Sequence, residues 1–202
     1  MMIRVICARY GDRYDEWYEH QLKHMIDTYS FIEYDEFEVI RDNVYDDEYK
    51  TFNKLLMFDR YRDGQNIYFD LDTIIKGDCN KYLTNDLHVC HAWWRKDGKM
   101  YDWNPINSSI ISWKGDLSKI HDKIKDNEDW FMVKYWRGID EYLWEHFKPK
   151  MFPETYCSYQ TITEEESQYD VYLFNQRFQF LKNRGWWNKF HSTSLPQDQQ
   201  AQ

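Results

Sequence analysis

Residues 66–72 read NIYFDLD, and this stretch decides how the chain is interpreted. The apolar run NIYF follows Gly64 and Gln65, and a short apolar run bounded by such a break predicts a buried strand. The run leads directly into Asp70 and Asp72, the only Asp-x-Asp among the 22 aspartates of the chain. Because residues i and i+2 of an extended backbone share a face, we expect two neighbouring carboxylates at the end of this strand.

The segments before residue 66 alternate between strand and helix. A β-branched apolar run predicts a first strand, and apolar side chains at helical spacing predict the helix after it; a second strand and helix follow. The expected bounds are 3–8 and 37–40 for the strands and 15–29 and 49–61 for the helices. This order is typical of helices covering a parallel sheet, so we expect an α/β, Rossmann-like fold with a central, mostly parallel sheet.

The second half of the chain is more mixed. Apolar runs predict strands at 87–94 and 108–113, and helical spacing predicts short helices at 117–124 and 139–147. There is no internal linker or repeat, so we expect one domain over residues 1–191. Residues 192–202 are polar and predict a frayed tail.

Charge and composition exclude several classes of function. The chain has 202 residues and a net charge of −9, which argues against nucleic-acid binding because that needs a basic face. No apolar run approaches the about 20 residues of a membrane span, and no export signal is visible. The four cysteines lack CxxC spacing, which is typical of reduced thiols in a cytoplasmic protein.

The paired carboxylates of Asp70 and Asp72 suggest a chemistry. Two adjacent carboxylates repel each other, and a hard divalent cation such as Mn²⁺ or Mg²⁺ relieves the repulsion by taking oxygen ligands. In open α/β sheets ligands bind outside the carboxyl ends of the strands, which is where this pair is expected. The alternative is a solvated acidic turn without a ligand.

Several segments, in this order, resemble the nucleotide-sugar-dependent glycosyltransferases of the GT-A fold that carry a DxD motif. The similarity covers about residues 3–160 and lies in the first strand with its turn, the helix before the motif, the motif, an Asn-Ser-Ser strand and a variant of a Gly-Asp-Gln segment. These segments read RYGDRY (9–14), FNKLLMF (52–58), DLD (70–72), NSSIISW (107–113) and RGIDEYLW (137–144).

The resemblance implies a metal and donor site at the sheet edge. Asp72 would bind Mn²⁺ or Mg²⁺ directly, and Asp70 would contact the ribose and reach the metal. The remaining donor-binding residues would surround the base, the phosphates and the sugar of a UDP-sugar; these are Ala8, Arg9, Tyr10, Tyr14, Lys54, Asn107 and Ser108.

The resemblance also implies a catalytic pair, Asp140 and Glu141, beside the reacting sugar. A carboxylate there would act as general base on the acceptor hydroxyl in an inverting enzyme, or would stabilise an oxocarbenium-like sugar in a retaining enzyme. The sequence leaves both outcomes open, and it does not identify the acceptor.

The chain departs from the family where many relatives carry a His-Gly segment that completes the metal site. Residues 173–178 read LFNQRF, so the third ligand would be Asn175, His191 or a water. No acidic residue lies between Asp170 and Asp198, and the basic residues there, which include Lys182, would close over the donor diphosphate. The alternative is a basic surface face, or a partner for the acidic stretch 42–48.

Two other functions remain open from the sequence. One is a non-catalytic protein that keeps the GT-A scaffold and binds a nucleotide or a sugar. The other is a haloacid-dehalogenase-like phosphatase, whose nucleophile motif also ends a strand with Asp-x-Asp, although such motifs normally lie near the start of the chain. We expect a soluble protein of bacterial or viral origin.

Overall fold

The structure is a computed structural model that describes residues 1–11, 14–46, 51–96, 102–158 and 169–174. It is a mixed α/β fold with a central sheet flanked by helices. The expected domain boundary at residue 191 and the expected tail at 192–202 lie outside these ranges. No helix within them is both long and apolar enough to cross a lipid bilayer.

The nine strands and five helices of the described ranges follow one another in mixed order. The strands are β1 (Ile3–Ala8), β2 (Glu36–Ile40), β3 (Gln65–Phe69), β4 (Thr73–Ile75), β5 (His88–His91), β6 (Ile106–Lys114), β7 (Lys150–Met151), β8 (Tyr156–Ser158) and β9 (Val171–Leu173). The helices are α1 (Glu16–Tyr29), α2 (Leu56–Arg60), α3 (Lys119–Lys125), α4 (Glu128–Lys134) and α5 (Ile139–Phe147).

The central sheet has six strands in the order β2-β1-β3-β6-β5-β7. β1 pairs in parallel with β2 and β3, and β5 pairs in parallel with β7. β6 is antiparallel to both β3 and β5, so the other five strands run in one direction and their carboxyl ends share an edge. The expected fold class, with a mostly parallel sheet, is confirmed.

Alternate residues of the central strands pack into two hydrophobic cores, one on each face of the sheet. Val5 and Ile67 pack in the core with α1, whereas Ile6 and Tyr68 pack in the core with α2, α3 and α5. All four are buried, which is why these strands read as continuous apolar runs in the sequence. Each fully buried aliphatic side chain contributes about 1.5–3 kcal/mol.

Several predicted elements differ from the observed ones. The expected strand at 87–94 ends at His91, and Trp93–Arg95 forms a 3-10 turn instead. Within the described part of the expected helix at 49–61, Thr51–Leu55 is a 3-10 helix that continues into α2. The small sheet β4-β9-β8 was not predicted, because strands of three residues are too short to show a period of two.

All four cysteines are free and buried, as expected for reduced thiols.

Gly138 immediately precedes α5, and its backbone conformation determines how the chain enters that helix. Its φ of +113° is accessible to glycine, and a Cβ there would lie 2.9 Å from Thr51 Oγ1. We predict that Gly138→Ala lowers the free energy of unfolding by about 3 kcal/mol, because the substitution adds a steric contact to a strained backbone.

Urea denaturation measures this loss, and Gly115→Ala is the matched control. Gly115 has a φ of +76°, and a Cβ at this position would meet no atom within 4 Å, so its replacement costs only about 1 kcal/mol of conformational strain. Equal losses for the two variants would contradict the packing of Gly138 on Thr51.

Candidate active site

The Asp70-Leu71-Asp72 segment forms a turn. The Thr73 N–H donates to the Asp70 carbonyl at 3.1 Å, which closes the turn between β3 and β4. The backbone of Asp70–Asp72 is therefore a turn and not the extended segment that the sequence predicted, and the chain passes through it from the central sheet to the small one. The two carboxylates accordingly meet different partners.

Asp70 is held by a cation and a phenol. Its Oδ1 lies 2.6 Å from Lys54 Nζ and accepts a hydrogen bond of 2.7 Å from the Tyr68 hydroxyl. Lys54 Nζ also donates to the Ser108 carbonyl at 3.5 Å. The Lys54 side chain is only 7% exposed and that of Asp70 19% exposed, so this ion pair lies at the border between the core and the solvent.

Asp72 is the more deeply buried carboxylate of the motif, with 4% of its surface exposed. Its Oδ2 accepts a hydrogen bond of 2.9 Å from the Tyr14 hydroxyl. Burial raises the pKa of the neighbouring Tyr18, and the negative charges of Asp15 and Asp72 raise it further. The Phe174 N–H donates to the Asp72 carbonyl at 3.2 Å. Phe174, the last of the described residues, therefore lies beside this turn.

Asp140 reaches the same edge from the first turn of α5. Its Oδ1 accepts the Ser108 N–H at 2.9 Å, and its Oδ2 lies 3.7 Å from the Arg95 guanidinium. Arg95 is itself anchored on the Ile106 carbonyl at 2.9 Å. These contacts fix the orientation of the Asp140 carboxylate beside β6.

Glu141 has different surroundings. Burial raises its pKa, with a further rise from Glu145, while Arg137 and Lys134 act in the opposite direction. These charges belong to α4, α5 and their connection. The structure thus brings Asp140 into the set around Ser108, and it places Glu141 among the outer charges of the helices.

Ser108 connects these charged groups, because its carbonyl accepts from Lys54 and its N–H donates to Asp140. Burial raises the pKa of the Cys90 thiol well above its usual range; a hydrogen bond with the Ile110 backbone and the charge of Lys54 lower it, and the charges of Asp140 and Asp70 raise it. Cys90 lies in β5 opposite Asn107 of β6, at a point where the register shifts. The residue after β3, the segment before α2, β6 and α5 therefore meet at the edge where the parallel strands end.

The end of β1 supplies two more of the predicted residues, Ala8 and Arg9. Ala8 is buried, and the Arg9 N–H donates to the Ile40 carbonyl at 2.8 Å. The Arg9 guanidinium pairs with the buried Glu19, which also binds Arg41. Arg9 thus ties β1 to α1 and to the end of β2.

Tyr10 and Asn107 are two other predicted donor-binding residues, and each contacts other residues of the chain. Tyr10 packs against the core on the α2 side. The buried Asn107 accepts the Ser109 N–H with its Oδ1 at 3.0 Å.

Some predicted residues cannot be placed. Lys182, Asn175 and His191 lie outside the described residues, as does the rest of the basic segment that follows Phe174.

Arg95 and Tyr68, which hold Asp140 and Asp70, were not predicted from the sequence. Tyr68 lies two residues before Asp70 but was interpreted only as part of the buried strand, whereas Arg95 lies in no recognisable motif and meets Asp140 only in the folded chain. An arginine shortly after a buried strand was the one available signal for Arg95.

The turn offers oxygen ligands of the kind that a hard divalent cation takes. Asp70 and Asp72 offer carboxylate oxygens, which Mn²⁺ and Mg²⁺ prefer, and both side chains are shielded enough to bind a cation away from bulk water. Because Oδ1 of Asp70 already accepts two hydrogens, its other oxygen is the better placed ligand.

Comparison with known proteins gives a consistent result at the level of structure. No family model matches the sequence, and no curated protein matches it either. A glycosyltransferase involved in the glycosylation of the major capsid of PBCV-1 has a TM-score of 0.60 at 12% identity, covering 87% of this chain and 93% of that one. An active-site mutant of LgtC has a TM-score of 0.57 at 11% identity, covering 96% and 98%.

The fold is of the GT-A type. The glycosyltransferase GlyE of Streptococcus pneumoniae TIGR4 has a TM-score of 0.53 at 13% identity, and the likeness covers 75% of this chain but only 46% of GlyE. At such identities the likeness shows a shared fold, and the residues must carry any functional conclusion.

The raised pKa of Glu141 predicts a stability that depends on pH. A carboxyl group with a raised pKa in the folded state stabilises the fold while it is protonated, and that contribution is lost as the pH rises through the raised pKa. We predict that Glu141→Gln is more stable than the wild type at pH 7.5 and that the advantage disappears near pH 4.

Urea denaturation at the two pH values checks this prediction. Glu33→Gln, at an exposed position on a connecting segment, is the control and should leave the difference between the pH values unchanged. An advantage of Glu141→Gln that is the same at both pH values would contradict the assignment.

Proposed function

We propose that the chain is a metal-dependent glycosyltransferase that moves a sugar from a nucleotide-sugar, in the first instance a UDP-sugar, to an acceptor hydroxyl. The observation that supports the proposal is a chain of contacts at the carboxyl edge of a GT-A-type sheet: Asp70 pairs with Lys54, Lys54 donates to the Ser108 carbonyl, and the Ser108 N–H donates to Asp140, with Asp72 in the adjoining turn. Ligands bind at this edge in open α/β sheets.

Lys54 provides the fixed positive charge that a diphosphate leaving group needs. Its ammonium carries three N–H donors, and among the described residues it bonds only to Asp70 and the Ser108 carbonyl. One donor therefore remains for a phosphate oxygen. Because the ammonium is nearly buried, its attraction for a diphosphate is screened less by water than that of a surface lysine.

Asp70 and Asp72 would hold Mn²⁺ or Mg²⁺, with Tyr14 orienting Asp72 and Tyr68 orienting Asp70. When bound, the cation would supply positive charge that stabilises the diphosphate as the sugar–phosphate bond breaks. The two tyrosines fix the carboxylates before the donor arrives, which lowers the cost of organising the site.

Asp140 is the carboxylate that we assign to the reacting sugar. Arg95 and the Ser108 N–H hold it in one orientation, as a group that meets a substrate must be held. It would accept the proton of the acceptor hydroxyl in an inverting reaction, or face the positive charge of the sugar in a retaining one. Glu141, assigned to the same role from the sequence, would act at most through α5.

A panel of nucleotide-sugars tests the proposal by metal-dependent release of the nucleotide diphosphate, with and without added acceptor sugars. We expect release from one donor in Mn²⁺ or Mg²⁺ and its loss in EDTA. Asp72→Asn and Lys54→Met should weaken binding of UDP with Mn²⁺ at least about tenfold in calorimetry, which is about 1.4 kcal/mol. Asp126→Asn, at an exposed site after α3, is the matched control and should bind as the wild type does.

The other outcomes separate the alternatives. Tight binding of UDP that depends on Asp72, without turnover of any donor, would indicate a non-catalytic nucleotide-binding protein. Phosphate release from an aryl phosphate that Asp70→Asn abolishes would indicate a phosphatase. Equal binding of UDP by the wild type and Asp72→Asn would contradict the assignment of the site.

A further inference from the structure

A second group of metal-ligating side chains lies between α2 and α3. Asp59 of α2 and the adjacent His121 and Asp122 of α3 bring one ligand atom each to within 4.8 Å of one another. Lys54 and Asp59 belong to the same helical segment, but Lys54 meets Asp70 at the carboxyl edge. Asp59 lies just before the chain enters the opposite end of β3, so the group is separate from the Asp70–Asp72 turn.

His121 is the member that points to a ligand. It is 4% exposed, and its Nδ1 has no hydrogen-bond partner among the described residues. The nearest carboxylate oxygen, Oδ1 of Asp59, lies 3.8 Å from Nδ1, too far for a hydrogen bond. A buried ring nitrogen without a partner is costly, and this one lies beside the Asp59 carboxylate.

The other ring nitrogen is placed as in many metal-binding histidines. Nε2 of His121 lies 2.6 Å from the hydroxyl of the buried Tyr45. When Nε2–H donates to that hydroxyl, Nδ1 carries the lone pair on the side of the Asp59 carboxylate. Histidine ligands commonly have their second ring nitrogen fixed in this way, which sets the tautomer and the direction of the ring.

We propose that Asp59, His121 and Asp122 form a second divalent-metal site that joins α2 to α3. One imidazole nitrogen and two carboxylate oxygens, with a position left for water, are ligands typical of Zn²⁺ and Co²⁺ rather than Mg²⁺ or Ca²⁺. The ion would pair with the His121 lone pair and neutralise the carboxylates. This site does not depend on the proposed glycosyl transfer.

Two cations compete with the ion for these carboxylates: Arg62, whose Nη2 lies 2.7 Å from Oδ1 of Asp59, and Lys125, which contacts both aspartates. Lys125 Nζ lies 2.7 Å from Oδ1 of Asp122 and 3.3 Å from Oδ1 of Asp59. The Lys125 side chain is 43% exposed, so its ammonium can move into the solvent when a divalent ion binds. A metal that displaces Lys125 binds more weakly than it would at a free site, and removal of the lysine charge should strengthen binding.

Titration of the untagged chain with Co²⁺ tests the proposal through the visible absorption of the bound ion, and calorimetry with Zn²⁺ gives the stoichiometry. We expect one strong site that persists in Asp72→Asn and shows no thiolate-to-cobalt absorption, since the ligands are nitrogen and oxygen. Asp122→Asn, a change at an exposed position, should weaken binding at least about tenfold, and His121→Gln should abolish the spectrum. Lys125→Met should tighten binding by about threefold or more.

Three results would overturn the proposal. The first is that the wild type gives no visible Co²⁺ spectrum and no Zn²⁺ heat. The second is binding that disappears in Asp72→Asn but survives in Asp122→Asn, which would place the ion at the donor site. The third is binding that Lys125→Met leaves unchanged or weakens. Because Asp122 is exposed, its variant keeps the test decisive even if His121→Gln does not fold.

Discussion

The ion pair between Lys54 and Asp70 is the interaction on which the rest of the site depends. A nearly buried ammonium is stable only beside a negative charge, and the end of β3 supplies that charge together with the Tyr68 hydroxyl. The 3-10 helix before α2 sets the position of Lys54, and the antiparallel β6 brings the Ser108 carbonyl to the same ammonium. The 3-10 helix and β6 thus meet through the Lys54 side chain.

Long-range pairing then assembles the remaining groups. Because β6 runs against β3, its first residues lie at the edge where the parallel strands end, and Ser108 can hold Asp140 of α5. The turn after Asp70 directs the chain into the small sheet, whose last strand returns Phe174 to Asp72. The arrangement therefore brings carboxylates and a cation from three distant parts of the sequence, around residues 54, 70–72 and 140, to the same edge of the sheet.

Much of this fold was predictable from the sequence, because burial on both faces leaves a clear signal. The apolar run at 3–8 and the periodicity of 15–29 correspond closely to β1 and α1. The turn at Asp70–Thr73 was not predicted, since no glycine or proline marks it. The small sheet was missed for a different reason: its strands have three residues each, and their burial comes from tertiary contacts.

The site residues divide in the same way, into those that the sequence indicated and those that only the folded structure revealed. Asp70, Asp72, Lys54, Tyr14 and Asp140 were named from motifs, and the structure gives each of them a specific polar partner. Arg95 and Glu19 were not named, because their partners are fixed only by the folded chain. The separation of Asp140 from Glu141 follows from helix geometry, in which adjacent residues project about 100° apart.

The most direct test of this account is a crystal structure of the chain with UDP and Mn²⁺, with diffraction data that locate manganese by its anomalous signal. The account predicts a manganese peak at the Asp72 carboxylate, with the diphosphate between that ion and Lys54. A nucleotide bound elsewhere, or manganese in contact with neither Asp70 nor Asp72, would contradict it.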